Sequence, residues 1–116
     1  MSNHVTMSEA QLQQAIIELA HTLGYRCAHF RPALVKVGGV LTYRTPVSAD
    51  GKGFFDLILT SKQRGRVIAI ECKSGKGKLS PDQEVWRDEW AGEYYLVQPC
   101  DYLDETVTKI LQQEAV

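Results

Sequence analysis

An excess of charge of either sign is missing from this chain: 13 Lys and Arg stand against 14 Asp and Glu over 116 residues, for a formal net charge of −1. No global basic field therefore draws polyanions, and any such binding has to come from a local patch. Cysteine is scarce too. Cys27, Cys72 and Cys100 are odd in number, widely spaced and free of any Cys-x-x-Cys pair. That pattern argues against a disulfide framework or a structural zinc site and predicts a reducing compartment. No stretch approaches the roughly 18 apolar residues of a membrane span, and residues 1–6 hold no apolar signal core. Repeats, low-complexity tracts and interdomain linkers are absent as well. Together these absences predict one soluble, intracellular (cytoplasmic) domain over 1–116, and a hydrophobic content of 44% is enough for a single core.

The residues that are present fall into an orderly series of elements. Ser8 and Gln11 are spaced as a capping box, Leu12, Ile16, Leu19 and Leu23 recur at helical spacing, and Gly24 supplies a stop, which predicts a first helix. Residues 25–30 read as a strand and 35–47 as a hairpin turning at Gly38-Gly39. A turn-rich approach over 50–53 leads into a strand over 54–60, and a polar turn over 61–66 into a strand over 67–73. Ser80, Pro81 and Gln83 supply the N-cap, first residue and capping-box partner of a second helix that Gly92 ends. Residues 93–97 form an apolar strand, and Asp101 caps a last helix with Leu103, Val107, Ile110 and Leu111 inward. The helix between the 67–73 and 93–97 strands acts as a crossover that sets those two parallel in an otherwise mixed sheet, so the fold class is α/β.

Within that order one segment is chemically unusual. The apolar run Val67-Ile68-Ala69-Ile70 ends in Glu71-Cys72-Lys73. Strand alternation puts Glu71 and Lys73 on the face of Val67 and Ala69. Ions in such a strand carry a desolvation cost of several kcal/mol each unless something compensates it, which marks the pair as a site candidate. Asp56, at the start of the neighbouring strand, can converge with Glu71 at a shared sheet end. Two carboxylates and a backbone carbonyl suit Mg²⁺ or Mn²⁺, hard cations that prefer oxygen. A lysine two residues on can orient or deprotonate an attacking water, or offset charge on a phosphorane.

With Glu9, Asp56, Glu71-Cys72-Lys73 and Gln83 in this order, the chain resembles the PD-(D/E)xK nuclease superfamily and, within it, the VRR-NUC family of small nucleases. The resemblance covers nearly the whole chain and implies a restriction-endonuclease-like αβββαβ core. It implies that Asp56, Glu71 and the Cys72 carbonyl hold the metal, that Lys73 is the catalytic lysine, that Glu9 completes the acidic cluster directly or through water, and that Gln83 lies behind the ligands as part of the catalytic set. Phe55 stands where the family pattern carries proline, a residue that shapes the strand's approach and does no chemistry. The implied activity is Mg²⁺- or Mn²⁺-dependent hydrolysis of DNA phosphodiesters. Stand-alone relatives imply selectivity for branched DNA such as Holliday junctions, a homodimer, and a bacterial or phage-infected host.

Local charge agrees with a DNA partner. Arg64, Arg66, Lys73, Lys76 and Lys78 surround the Glu71 strand, with Arg31, Lys36, Arg44 and Lys52 upstream. In Gly75-Lys76-Gly77-Lys78, glycines let backbone approach a phosphate and Lys76 and Lys78 supply charge. The loop lacks the Walker pattern, which argues against nucleoside triphosphate binding. His4, His21 and His29 are scattered without ligand spacing, and Trp86 and Trp90, one turn apart, read as core or as a partner anchor. The competing readings are a flap- or site-specific DNA nuclease and a non-catalytic nucleic-acid-binding protein on the same fold. An intact acid-acid-lysine set disfavours the second.

Overall fold

Both long helices begin where capping boxes demand it. The structure, a computed structural model, describes residues 7–30, 33–44, 47–75 and 77–114. Ser8 Oγ accepts from the Gln11 N–H at 3.1 Å while Gln11 Oε1 accepts from the Ser8 N–H at 2.9 Å. Ser80 and Gln83 repeat the arrangement at 3.2 and 2.9 Å. In chain order the elements are α1 (Glu9–Thr22), β1 (Arg26–His29), β2 (Ala33–Val37), β3 (Val40–Arg44), β4 (Leu57–Ser61), β5 (Arg66–Cys72), α2 (Pro81–Glu89), β6 (Glu93–Val97), α3 (Pro99–Leu103) and α4 (Thr106–Gln112).

Four strands form the main sheet in the order β1-β4-β5-β6. The first two pairings are antiparallel; β5 and β6 are parallel, joined across α2 as the crossover requires. With α1, this is the expected αβββαβ core: a mixed sheet flanked by helices. The core lies between sheet and helices, where Leu57, Leu59, Ile68 and Ile70 meet Leu12 and Ile16 of α1 and Val107 and Leu111 of α4. Central β5 is buried throughout except at Val67, as a strand covered on both faces must be. The hairpin β2–β3 stands apart as its own two-stranded sheet, inserted between β1 and β4. Its turn residues Gly38 and Gly39 both take positive φ, +57° and +82°, the backbone that a two-residue hairpin turn needs.

Several expectations need correction. The last helix is two, α3 and α4, broken at Asp104-Glu105, where Glu105 sits at φ +68°. Leu103 is consequently exposed rather than inward. The Asp101 carboxylate accepts from the Gln98 N–H, within the first turn of α3. α2 ends at Glu89 with Trp90 as its cap, before Gly92. The strand expected over 54–60 begins at Leu57, because Phe54 and Phe55 belong to an aromatic cluster. Arg64 and Arg66 are not a polyanion surface. Arg64 donates to the carbonyls of Leu23 and Gln112. Buried Arg66 pairs with both Glu93 oxygens, at 2.7 and 2.8 Å, and donates to the Tyr25 hydroxyl and the Ile110 and Gln113 carbonyls. The two arginines thus satisfy the carbonyls that helix ends leave open, at the far end of β5 from Glu71.

Phe55 explains the missing proline. Its ring is wholly buried, with centroids 4.9 Å from Trp90, 5.6 Å from Tyr94 and 6.0 Å from Trp86. The ring that replaces proline therefore ties the approach to β4 onto α2 and β6. Phe55→Ala is expected to destabilise the fold by about 3–5 kcal/mol, the usual cost of emptying a buried aromatic site. Urea denaturation checks this, and a loss below about 1 kcal/mol would show that the ring is not part of the core.

Candidate active site

Antiparallel pairing of β4 and β5 brings two carboxylates together. Leu57 pairs with Ile70, so the residue before β4, Asp56, falls opposite Glu71. Asp56 Oδ2 accepts from the Cys72 N–H at 2.7 Å, and the Asp56 carbonyl accepts from the Phe30 N–H at 2.9 Å, so both neighbouring strands fix its position. Glu71 is fully buried. Its Oε2 receives the Gln83 amide at 3.4 Å, and its Oε1 is buried without a hydrogen-bond partner among the described residues. The Gln83 side chain does two things at once: its oxygen closes the α2 capping box and its nitrogen reaches Glu71. Gly53 permits this approach. At φ +82° its Cα lies against the start of α2, where a Cβ would come within 2.6 Å of Asp82 Cβ and 2.8 Å of the Gln83 nitrogen.

Burial, and then the neighbouring Asp56 charge, push the Glu71 carboxyl up to about 8. Asp56 is also raised by burial, against the lowering pull of the Cys72 N–H, Glu71 and Lys73. Burial raises the Cys72 thiol as well, so the sulfur stays protonated and is no ligand for a hard cation. The folded chain therefore holds a proton on Glu71 that the unfolded chain, at the ordinary 4.5, has released. The stability this adds is complete below pH 4.5 and is lost as pH rises through about 8. Metal-free protein is expected to melt lower at pH 8 than at pH 5, and Glu71→Gln should flatten that trend. Thermal melts of both proteins across this range check it. Parallel pH profiles would mean Glu71 ionises as an ordinary surface acid.

The other expected residues are placed as follows. Lys73 follows β5, half-buried, its N–H on the Val97 carbonyl at 3.0 Å and its stem against Gly77; its charge acts on both Asp56 and Glu71. Glu9, in the first turn of α1, accepts from the Ser74 N–H at 3.1 Å, which ties the helix to the loop after β5. Lys78 is exposed on that loop, between the Glu71 strand and α2; Lys76 lies outside the described residues, as do Arg31 and His4. Tyr94 is a neighbour the sequence reading passed over as part of an apolar strand. Its buried hydroxyl has no partner among the described residues, and burial with the Glu71 charge pushes it up to about 12.

Among the described residues, no three His, Cys, Asp or Glu side chains converge as a ligand set. The fit to a divalent cation rests instead on the chemistry of the pair: a buried and a half-buried carboxyl that share a proton when no cation is there to take both oxygens. A hard cation that takes its remaining oxygens from a carbonyl, water and phosphate matches them.

A mixed sheet flanked by helices, with antiparallel and parallel strands, is in line with a nuclease-like α/β fold. The VRR-NUC domain family matches residues 7–101, and the chain belongs to it. Its function is accordingly of nuclease type, with DNA as substrate. Searches of curated proteins and of solved structures gave no match. No helix among the described residues is long and apolar enough to cross a membrane.

Proposed function

We propose that the chain is a Mg²⁺- or Mn²⁺-dependent DNA endonuclease, selective for branched structures such as four-way junctions and acting as a homodimer. The observation that carries the reading is fully buried Glu71 beside Asp56, two carboxyls held so close that without a metal they share a proton, which a divalent cation would displace. Asp56, Glu71 and the Cys72 carbonyl would hold the ion, with Glu9 close by. Bound there, the ion would acidify water and polarise a phosphoryl oxygen. Lys73, carrying its positive charge, would orient the attacking water and offset charge developing on the phosphorane. Gln83 would hold the Glu71 carboxylate in place, and Lys76 and Lys78 would meet DNA phosphates. One chain carries one such site. Symmetric cleavage of a junction needs two facing two strands, and an isologous dimer supplies them.

Incubating the protein with Mg²⁺ or Mn²⁺ and a panel of linear, flapped and four-way DNA tests the selectivity. The four-way junction is expected to be cut first, in two strands related by symmetry. Preferred cutting of the flap, or of one linear sequence, would replace the junction reading with a flap- or site-specific one.

A further inference from the structure

The hairpin β2–β3 exposes an apolar face that no described strand covers. The pairs Leu34–Tyr43 and Lys36–Leu41 share one side of the ribbon, where Leu34 is 54%, Leu41 65% and Tyr43 72% exposed. On the other side Val37 and Val40 are exposed as well. A lone two-stranded ribbon is marginally stable in water, and a cluster of exposed aliphatic and aromatic side chains marks an interaction surface.

Where the ribbon stands limits what it can meet. The Phe30 N–H, just before the ribbon, is bonded to the carbonyl of Asp56, and the Phe30 ring packs edge-on against Phe54 at 5.1 Å. The ribbon thus springs from the backbone of the candidate active site. A groove of about 460 Å³ lies at its return, lined by Arg44, Val47, Lys52 and Gly53, three residues before Asp56. Lys52 also reaches Asp82 at 3.5 Å, but both groups are exposed and that contact is weak.

Charge then decides between occupants. No Asp or Glu occurs over residues 19–49, a stretch that carries Arg26, Arg31, Lys36 and Arg44 in a chain that is otherwise richer in acids. A second copy docking ribbon to ribbon about a two-fold axis would bring like charges together. Intact duplex DNA offers phosphates to the cations but nothing to the apolar face, because its bases are stacked inside. Unpaired, unstacked bases offer both: a flat apolar surface for Tyr43 and leucines, and a phosphate backbone for the cations.

We infer that the β2–β3 ribbon is the element that recognises open DNA. Unpaired bases at a branch point rest on Tyr43, Leu34 and Leu41, while Lys36, on the same side of the ribbon, holds a flanking phosphate. This rests on the DNA nuclease reading above and gives it a physical basis for preferring branched substrates.

Binding measured in Ca²⁺, which holds cleavage back, tests the ribbon separately from catalysis. Wild-type protein is expected to bind a four-way junction with unpaired bases at its centre more tightly than a fully paired, hairpin-capped duplex of equal length. Leu41→Ser with Tyr43→Ser should weaken junction binding on the order of 10-fold, the size of one lost base stack, and leave duplex binding unchanged. Tyr43→Phe, which keeps the ring, should retain junction affinity, and circular dichroism should show all variants folded. Equal affinity of the wild type for both DNAs, or an equal loss on both in the double variant, overturns the inference. So does a fall in sedimentation mass in the double variant, which would assign the ribbon to contact with a second copy. Failure of the wild type to cut DNA in Mn²⁺ despite selective binding would instead refute the catalytic reading and leave the ribbon's role standing.

Discussion

Asp56→Asn and Glu71→Ala are each expected to lose Mn²⁺ binding in calorimetry, and DNA cleavage with it, while the fold survives. The two substitutions act differently. Glu71→Ala removes a fully buried carboxylate whose ionisation is opposed by burial and by Asp56, which at pH 8 offsets part of the cost of the cavity that alanine leaves. At Asp56 the choice of side chain matters, because Oδ2 accepts from the Cys72 N–H at 2.7 Å. Alanine would leave that donor unmatched, at about 1–3 kcal/mol. Asparagine keeps an oxygen there and removes the charge. Unchanged Mn²⁺ affinity in both folded variants would eliminate the ligand assignment.

Lys73→Ala is expected to slow cleavage by a factor on the order of 10²–10³, the range for losing a preorganised group that stabilises developing charge, with Mn²⁺ affinity retained. The lysine is half-buried after β5, and its positive charge favours the ionised forms of Asp56 and Glu71. Its removal should therefore also shift the pH profile of metal binding slightly upward. Single-turnover rates in saturating Mn²⁺ separate this from weaker binding. Wild-type rates in Lys73→Ala would leave the residue as a charge that merely balances the acids.

Much of this arrangement could be read from the residues in order. The capping boxes at Ser8 and Ser80 are local, each closed within three residues, so both helix starts were plain. Glu71 stood out because an ion at the end of an apolar strand needs a reason. The misses concern partners far apart in sequence. Arg64 and Arg66 look like surface cations until α4 folds its terminal carbonyls over them, more than 40 residues later. The break between α3 and α4 carries no glycine or proline at its turn: Glu105 takes a left-handed backbone without either signal, and the spacing of Leu103, Val107 and Ile110 continues a helix across it. The hairpin itself was visible in its glycines, but alternation does not say whether a ribbon joins the main sheet or stands off it. Phe55 stands where a proline is expected, and its place among Trp86, Trp90 and Tyr94 depends on how α2 and β6 come together.

The most direct measurement is cleavage of an end-labelled four-way junction by wild-type protein and by Glu71→Gln, with Mn²⁺ or with EDTA. Only the wild type with Mn²⁺ is expected to cut. Cleavage that persists in EDTA or in Glu71→Gln, or a wild type that cuts nothing in Mn²⁺, would contradict the proposed function.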